Sequence, residues 1–253
     1  MTELAIEQQG PEDGPLVVLV HGSMDRMAGM AKLARRLSGN CSVIRYDRRG
    51  YGESAAHLGP FTMEHQVADL LAIVADRRCV LVGHSYGGNV VLAAADRRPE
   101  LVAAVAVYET PLSWLPWWPG TTAGANAVAT QGRPEDAAEA FMRRIIGDEL
   151  WERLPERTKA ARRAEGPALV GELTDLGTHA PWSASRIECA VIVGRGELGQ
   201  AHHAASTQWI ASEVRDGTKV TLTGCRHGAH ASDPEQFAER LVRPAIELSR
   251  LAG

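Results

Sequence analysis

Gly83-His84-Ser85-Tyr86-Gly87 sets a serine hydroxyl inside a G-x-S-x-G pattern, directly after the apolar run Cys79–Gly83 and ahead of a small-residue, helix-like segment at Asn89–Asp96. A serine so placed sits on a sharp strand-to-helix turn, where glycines are needed because side chains would collide. The helix N-terminus and the Tyr86 amide then lie beside the oxygen, where negative charge develops in acyl transfer. A serine hydroxyl is a weak nucleophile until a base takes its proton. Of nine histidines, only His227 and His230 follow directly on the last strand-like run, Lys219–Thr223. His84 belongs to the motif and braces it, while His202 and His203 open a helix and read as solvated. The base needs a carboxylate to fix its tautomer. Two acids stand at strand ends: Glu197 after Ala190–Gly194, and Glu109 after Val102–Val107.

Groups so far apart in the chain must be gathered by a sheet. Short apolar runs at Leu16–Val20, Ser42–Tyr46, Cys79–Gly83, Val102–Val107, Ala190–Gly194 and Lys219–Thr223 alternate with helix-period segments at Met27–Leu37, Met63–Ala75, Asn89–Asp96, Ala201–Ser212 and Pro234–Leu251. That alternation predicts an α/β fold with a doubly wound, mostly parallel sheet. It stops between Pro111 and Arg186, where Pro134–Gly147, Asp148–Leu154 and Pro155–Leu176 read as helices. The expected organisation is a core from residues 1–110 and 186–253, with a helical cap insertion at 111–185. The insertion opens on the Pro-punctuated Pro111–Pro119 stretch and holds five of the six tryptophans. Trp114, Trp117 and Trp118 are candidates for a wall of the acyl pocket.

The motifs Leu19-Val20-His21-Gly22-Ser23, Tyr46-Asp47-Arg48-Arg49-Gly50-Tyr51-Gly52-Glu53-Ser54 and Gly83-His84-Ser85-Tyr86-Gly87-Gly88, in that order, closely resemble the α/β-hydrolase superfamily. The resemblance is strong over residues 15–110 and weaker over 186–245. It implies that the Ser23 amide joins that of Tyr86 in an oxyanion hole, with Met24 as the substitute if the loop winds differently. It also implies that Asp47 to Ser54 is structural. His227, seven residues before Pro234, matches the family's base, and Glu197, three residues after Gly194, matches its commoner acid site, leaving Glu109 as the alternative. A serine at the elbow argues against dehalogenase or epoxide-hydrolase chemistry. The expected enzyme is a carboxylic ester hydrolase acting on an ester or lactone of a small to medium apolar substrate through an acyl-enzyme on Ser85. The alternatives are acyl transfer or carbon–carbon bond hydrolysis on the same triad, and, outside catalysis, a ligand-binding protein on a hydrolase scaffold.

Other functions find less support. With 27 Lys+Arg against 31 Asp+Glu the net charge is −4, so nothing favours nucleic acid or an anionic membrane. Without a leader-like start or a membrane-length apolar run, a cytoplasmic enzyme is expected. Gly194-Arg195-Gly196-Glu197-Leu198-Gly199 is literally G-x-G-x-x-G, but the strand after it ends without an acid to bind a ribose. Cys225, His227 and His230 form a C-x-H-x-x-H string without a fourth ligand. No cofactor and no metal are expected, and the four cysteines read as free thiols.

Overall fold

The strand-like runs form one sheet. In the computed structural model, which describes residues 3–130 and 132–251, its strands are β1 (Ile6–Gln9), β2 (Leu16–Val20), β3 (Ser42–Tyr46), β4 (Cys79–His84), β5 (Val102–Tyr108), β6 (Ala190–Gly196) and β7 (Gly217–Leu222). Met1, Thr2, Ala252 and Gly253, counted in the expected core and in the reading of the chain start, lie outside the described residues, as does Gln131. The strand order is β1-β3-β2-β4-β5-β6-β7. Only β1 runs antiparallel to its neighbour, and every other pair is parallel. β1 was not anticipated. Its sequence, Ile-Glu-Gln-Gln, lacks an apolar run because it is a largely exposed edge strand.

The central strands β2, β4 and β5 are buried along their whole length, which is why they read as continuous apolar runs. Alternate side chains serve opposite faces. Val18, Val20, Leu81, Val105 and Val107 pack with α2 (Met63–Val74), α3 (Tyr86–Arg97) and α9 (Ala201–Glu213). Val17, Leu19, Val80, Val82, Ala104 and Ala106 pack with α1 (Ala31–Leu37) and the C-terminal helices. Each fully buried Val or Leu contributes roughly 1.5–3 kcal/mol against leaving it in water. α1 begins later than its apolar period suggests because Met27 is tied down first: its N–H donates to Asp47 Oδ1 at 2.7 Å. The expected final helix is likewise divided into α11 (Pro234–Phe237), a π-helical turn at Ala238–Val242 and α12 (Arg243–Leu251), preceded by the short α10 (Ala229–Ser232).

Between β5 and β6 the chain forms α4 (Ala123–Ala129), α5 (Pro134–Ile146), α6 (Asp148–Arg153), α7 (Glu156–Ala164) and α8 (Gly166–Leu176). α4 escaped the sequence reading, and the expected helix over Pro155–Leu176 is two. The break falls at Glu165 and Gly166. Glu165 is fully buried and accepts hydrogen bonds from Arg26 and the Gly52 amide, and a Cβ at Gly166 would come within 2.1 Å of Pro134 O. These helices bury Trp151, Ala137, Ala138, Met142 and Leu169 among themselves, and Met24 and Tyr51 join that cluster. Among the described residues no helix is long and apolar enough to cross a membrane.

One ion pair fastens α8 to the sheet. Arg48 Nη1 donates to Glu172 Oε2 at 2.7 Å, with neither side chain exposed. Glu172 Oε1 also accepts from Tyr51 Oη and Ser23 Oγ, each at 2.6 Å. The guanidinium lies over the Tyr51 and Tyr86 rings at 5.0 and 4.8 Å. A buried charge that loses its partner is far costlier than a pair that was never buried. Glu172→Gln is therefore expected to lower unfolding stability by about 3–5 kcal/mol, read from urea denaturation.

Candidate active site

β4 ends at His84, and Ser85 follows with φ 53° and ψ −123°, a conformation side-chain-bearing residues rarely adopt. The elbow is held by Ser85 N–H donating to Tyr108 O and by Gly88 N–H donating to Ser85 O, both at 2.9 Å. Its glycines answer to space: a Cβ at Gly87 would stand 2.3 Å from Val20 O. Tyr86 is the first residue of α3, so its N–H has no acceptor within the helix. The loop after β2 crosses close above, since a Cβ at Gly22 would come within 2.9 Å of Ser85 Cβ. Ser23 is thus brought beside Ser85, but its hydroxyl is committed to Glu172. Met24, the expected substitute, has φ 56° and packs with the inserted helices. Asp47, expected to be structural, accepts from the Met27 and Glu53 amides.

The carboxylate beside His227 is Glu109, not Glu197. His227 Nδ1 and Glu109 Oε2 are 2.7 Å apart, and because a carboxylate oxygen accepts, Nδ1–H is the donor in this contact. The other oxygen, Oε1, accepts from Gly196 N–H at 2.9 Å. Glu109 is fully enclosed and has φ 47°, a second strained residue at a strand end. Glu197, expected in that role, turns outward and accepts from the Gly224 amide at 2.8 Å. The glycine-rich loop explains the exchange: a Cβ at Gly199 would stand 2.3 Å from Glu109 Oε1. The last glycine of the G-x-G-x-x-G, Gly199, therefore makes room for a carboxylate.

The remaining histidines occupy different places. His84, expected to brace the elbow, donates from Nε2 to His227 O at 2.9 Å and so ties the end of β4 to the loop that carries His227. His230 pairs with Asp25 at 3.1 Å. His203 is not solvated as expected: it stacks on His227, and its side chain is 12% exposed. Of the tryptophans, Trp118 meets His202 and His203 edge-on at 4.8 and 5.8 Å. Trp117 packs on Trp118 and is 41% exposed. Trp114 meets Trp182 edge to face at 5.8 Å, and both Trp114 and Trp118 pack, partly buried, against the core on the α3 side of the sheet. Among the described residues, two groups bring possible metal-ligating atoms within 4.8 Å of one another: Asp25, His84 and His230, and Glu109, His203 and His227. In the second, His227 Nδ1 faces Glu109 Oε2 at 2.7 Å and His203 Nε2 stands 3.9 Å from the same oxygen. In the first, His230 Nε2 pairs with Asp25, while Nδ1 of His84 and Nδ1 of His230 are buried without a partner among the described residues. The Cys225, His227 and His230 string does not converge, because Cys225 Sγ accepts from Gln236 at 3.7 Å while the histidines face different carboxylates. All four cysteines are free thiols.

Burial sets the protonation of three ring systems. His21 is pushed down to about 3 by burial and then by the Arg48 charge, consistent with Nε2 accepting from Arg48 N–H while Nδ1 donates to Gly22 O. His203 is pushed down to about 2 by burial, with His227 and His202 adding to it. Burial, helped by His230 and His227, drives His84 well below its ordinary range. Unfolding returns each to an ordinary value near 6.5, so the unfolded chain binds protons that the native protein refuses. This contribution is fully present above pH 6.5 and declines as pH falls toward the depressed native values. Urea midpoints should fall between about pH 7 and pH 5, with each histidine contributing up to about 1.4 kcal/mol per pH unit. A flat profile would show that these rings accept protons in the native state.

The profile of the alpha/beta hydrolase family matches residues 17–240. A pimeloyl-(acyl-carrier protein) methyl ester esterase of Chromobacterium violaceum is 27% identical over 242 residues, covering 90% of this chain and 93% of its own. Among solved structures, an alpha/beta hydrolase from Sphaerobacter thermophilus is 29% identical with a TM-score of 0.65, over 92% of this chain and 96% of its own. The enol-lactonase from Burkholderia xenovorans shares the fold, with a TM-score of 0.72 at 22% identity over 97% of this chain and 95% of its own. With its elbow serine between β4 and α3 and the family profile matched from β2 into the C-terminal helices, this chain belongs to the alpha/beta hydrolase family.

Proposed function

We propose that this hydrolase cleaves a carboxylic ester or lactone of a small to medium apolar acid through an acyl-enzyme on Ser85. The observation that carries the reading is the 2.7 Å contact of His227 Nδ1 with Glu109, on a protein whose serine stands on a strained strand-to-helix turn. His227 Nε2 takes the Ser85 proton as Oγ attacks the carbonyl carbon. The tetrahedral oxyanion is received by the amides of Tyr86 and Ser23. Collapse expels the alcohol, which takes the proton back from His227, and water, activated by the same base, releases the acid. Glu109 holds the imidazole in the required tautomer and stabilises the imidazolium. Trp118, beside the histidines, is the tryptophan we assign to the pocket wall. The methyl ester esterase and the enol-lactonase among the similar proteins support an acyl–oxygen substrate by analogy.

Ser85→Ala is expected to stay folded, to lose ester turnover by about a thousandfold or more, and to lose labelling by a fluorophosphonate probe. Turnover near wild type would remove Ser85 from the mechanism. The two acids separate in a paired measurement. Glu109→Gln should lower kcat by about a thousandfold or more, since an amide cannot hold the required tautomer. Glu197→Gln, at the exposed turn, should remain within about threefold of wild type. The opposite ranking, at equal thermal stability, would return the role to Glu197.

A further inference from the structure

The base stands in an unusual aromatic setting. His203, in the first turn of α9, lies with its ring centroid 4.9 Å from that of His227 and its plane 18° from parallel. Its Nε2 is 3.9 Å from Glu109 Oε2, beyond hydrogen-bond range, while His227 holds that same oxygen at 2.7 Å. Its buried Nδ1 has no hydrogen-bond partner among the described residues. Neither nitrogen therefore earns the residue its place, and what it offers His227 is a flat face. Trp118 backs that ring edge-on, and Trp117 packs on Trp118. A column of rings thus runs from the surface to the base.

His227 has need of such a wall. It sits on the loop between β7 and α10, between Gly224, which has φ 67°, and Gly228, and its side chain is 34% exposed. The loop backbone is tied by His84 donating to His227 O and by Tyr108 Oη donating to Arg226 O, each at 2.9 Å. Those bonds fix the main chain and leave the ring free to choose among staggered rotamers. We propose that His203 is a positioning residue, its ring confining the His227 imidazole to the rotamer in which Nδ1 faces Glu109. This rests on the triad assigned above. The charged and titratable groups facing His227 are Glu109 from the end of β5, His84 from the end of β4, and His202 and His203 from α9. Because burial keeps His203 uncharged at neutral pH, the stack adds no repulsion when His227 becomes an imidazolium, and Glu109 has one cation to serve.

The test compares His203→Ala, which removes the face, with His203→Phe, which keeps it and discards both nitrogens. Turnover of a p-nitrophenyl ester gives kcat and KM, thermal melting reports the fold, and proton NMR follows the far-downfield His227 Nδ1–H. We expect His203→Ala to lose about tenfold in kcat with KM within about twofold, because a loosened base is seldom in line. Its Nδ1–H signal should broaden. His203→Phe should keep the sharp signal and a kcat within about threefold of wild type. If His203→Ala melts early, the Phe variant alone decides. An unchanged kcat and signal in a folded His203→Ala, or equal damage in both variants, overturns the proposal. Glu109→Gln on the same assays keeps the two readings apart. If it abolishes signal and turnover while His203→Ala alters neither, positioning alone fails; if it alters neither, the triad itself is wrong.

Discussion

Arg48 and Glu172 meet at 2.7 Å with no solvent on either side chain, and most of what lies above the sheet is organised around that contact. A guanidinium enclosed in protein needs acceptors for its hydrogens, and it finds them in Glu172 and in the carbonyls of His21 and Gly22. The loop that passes over Ser85 is therefore bonded to the same cation that anchors α8. Glu172 is held in turn by Tyr51 and Ser23. Pulling the inserted helices away from the sheet would strand two opposite charges in an apolar setting, so this corner of the insertion acts as a fixed roof. Tyr86, which supplies an oxyanion amide in the proposed mechanism, has its ring against Arg48.

The site draws on strain as well as charge. Among the described residues, Met24, Ala75, Ser85 and Glu109 are the non-glycine positions at positive φ, and three of the four border the proposed reaction centre. Such backbones persist only where surrounding bonds overdetermine them. Ser85 N–H is fixed to Tyr108 O, and Glu109 N–H to Gly194 O, so neighbouring strands hold the proposed nucleophile and acid through consecutive residues of β5 and its end.

Much of this was legible in the chain. β2 and β3 fell at their observed bounds and the other parallel strands within two residues of theirs, most directly where full burial makes a strand a continuous apolar run, as in β2 and β5. The elbow was readable because glycine, serine and a strand-to-helix switch coincide there. The partner of His227 was not, because Glu109 and Glu197 both follow parallel strands and differ only in how the side chain turns. That turn depends on the backbone at Glu109 and on space left by Gly199, which are tertiary facts. His203 looked solvated because α9 has no sharp apolar face at its start, and it is the approach of the β7–α10 loop and of Trp118 that encloses it. Glu172 carried a faint signal, an acid three residues from Leu169 on the buried side of α8.

Gly199 also bears on how such a site could change over generations. A Cβ at residue 199 would stand 2.3 Å from Glu109 Oε1, the end of a side chain that could swing away only by giving up its contacts with His227 and the Gly196 amide. A substitution at 199 would therefore be felt first by the imidazole on the neighbouring loop, and the residues accepted there are limited by what the carboxylate can surrender.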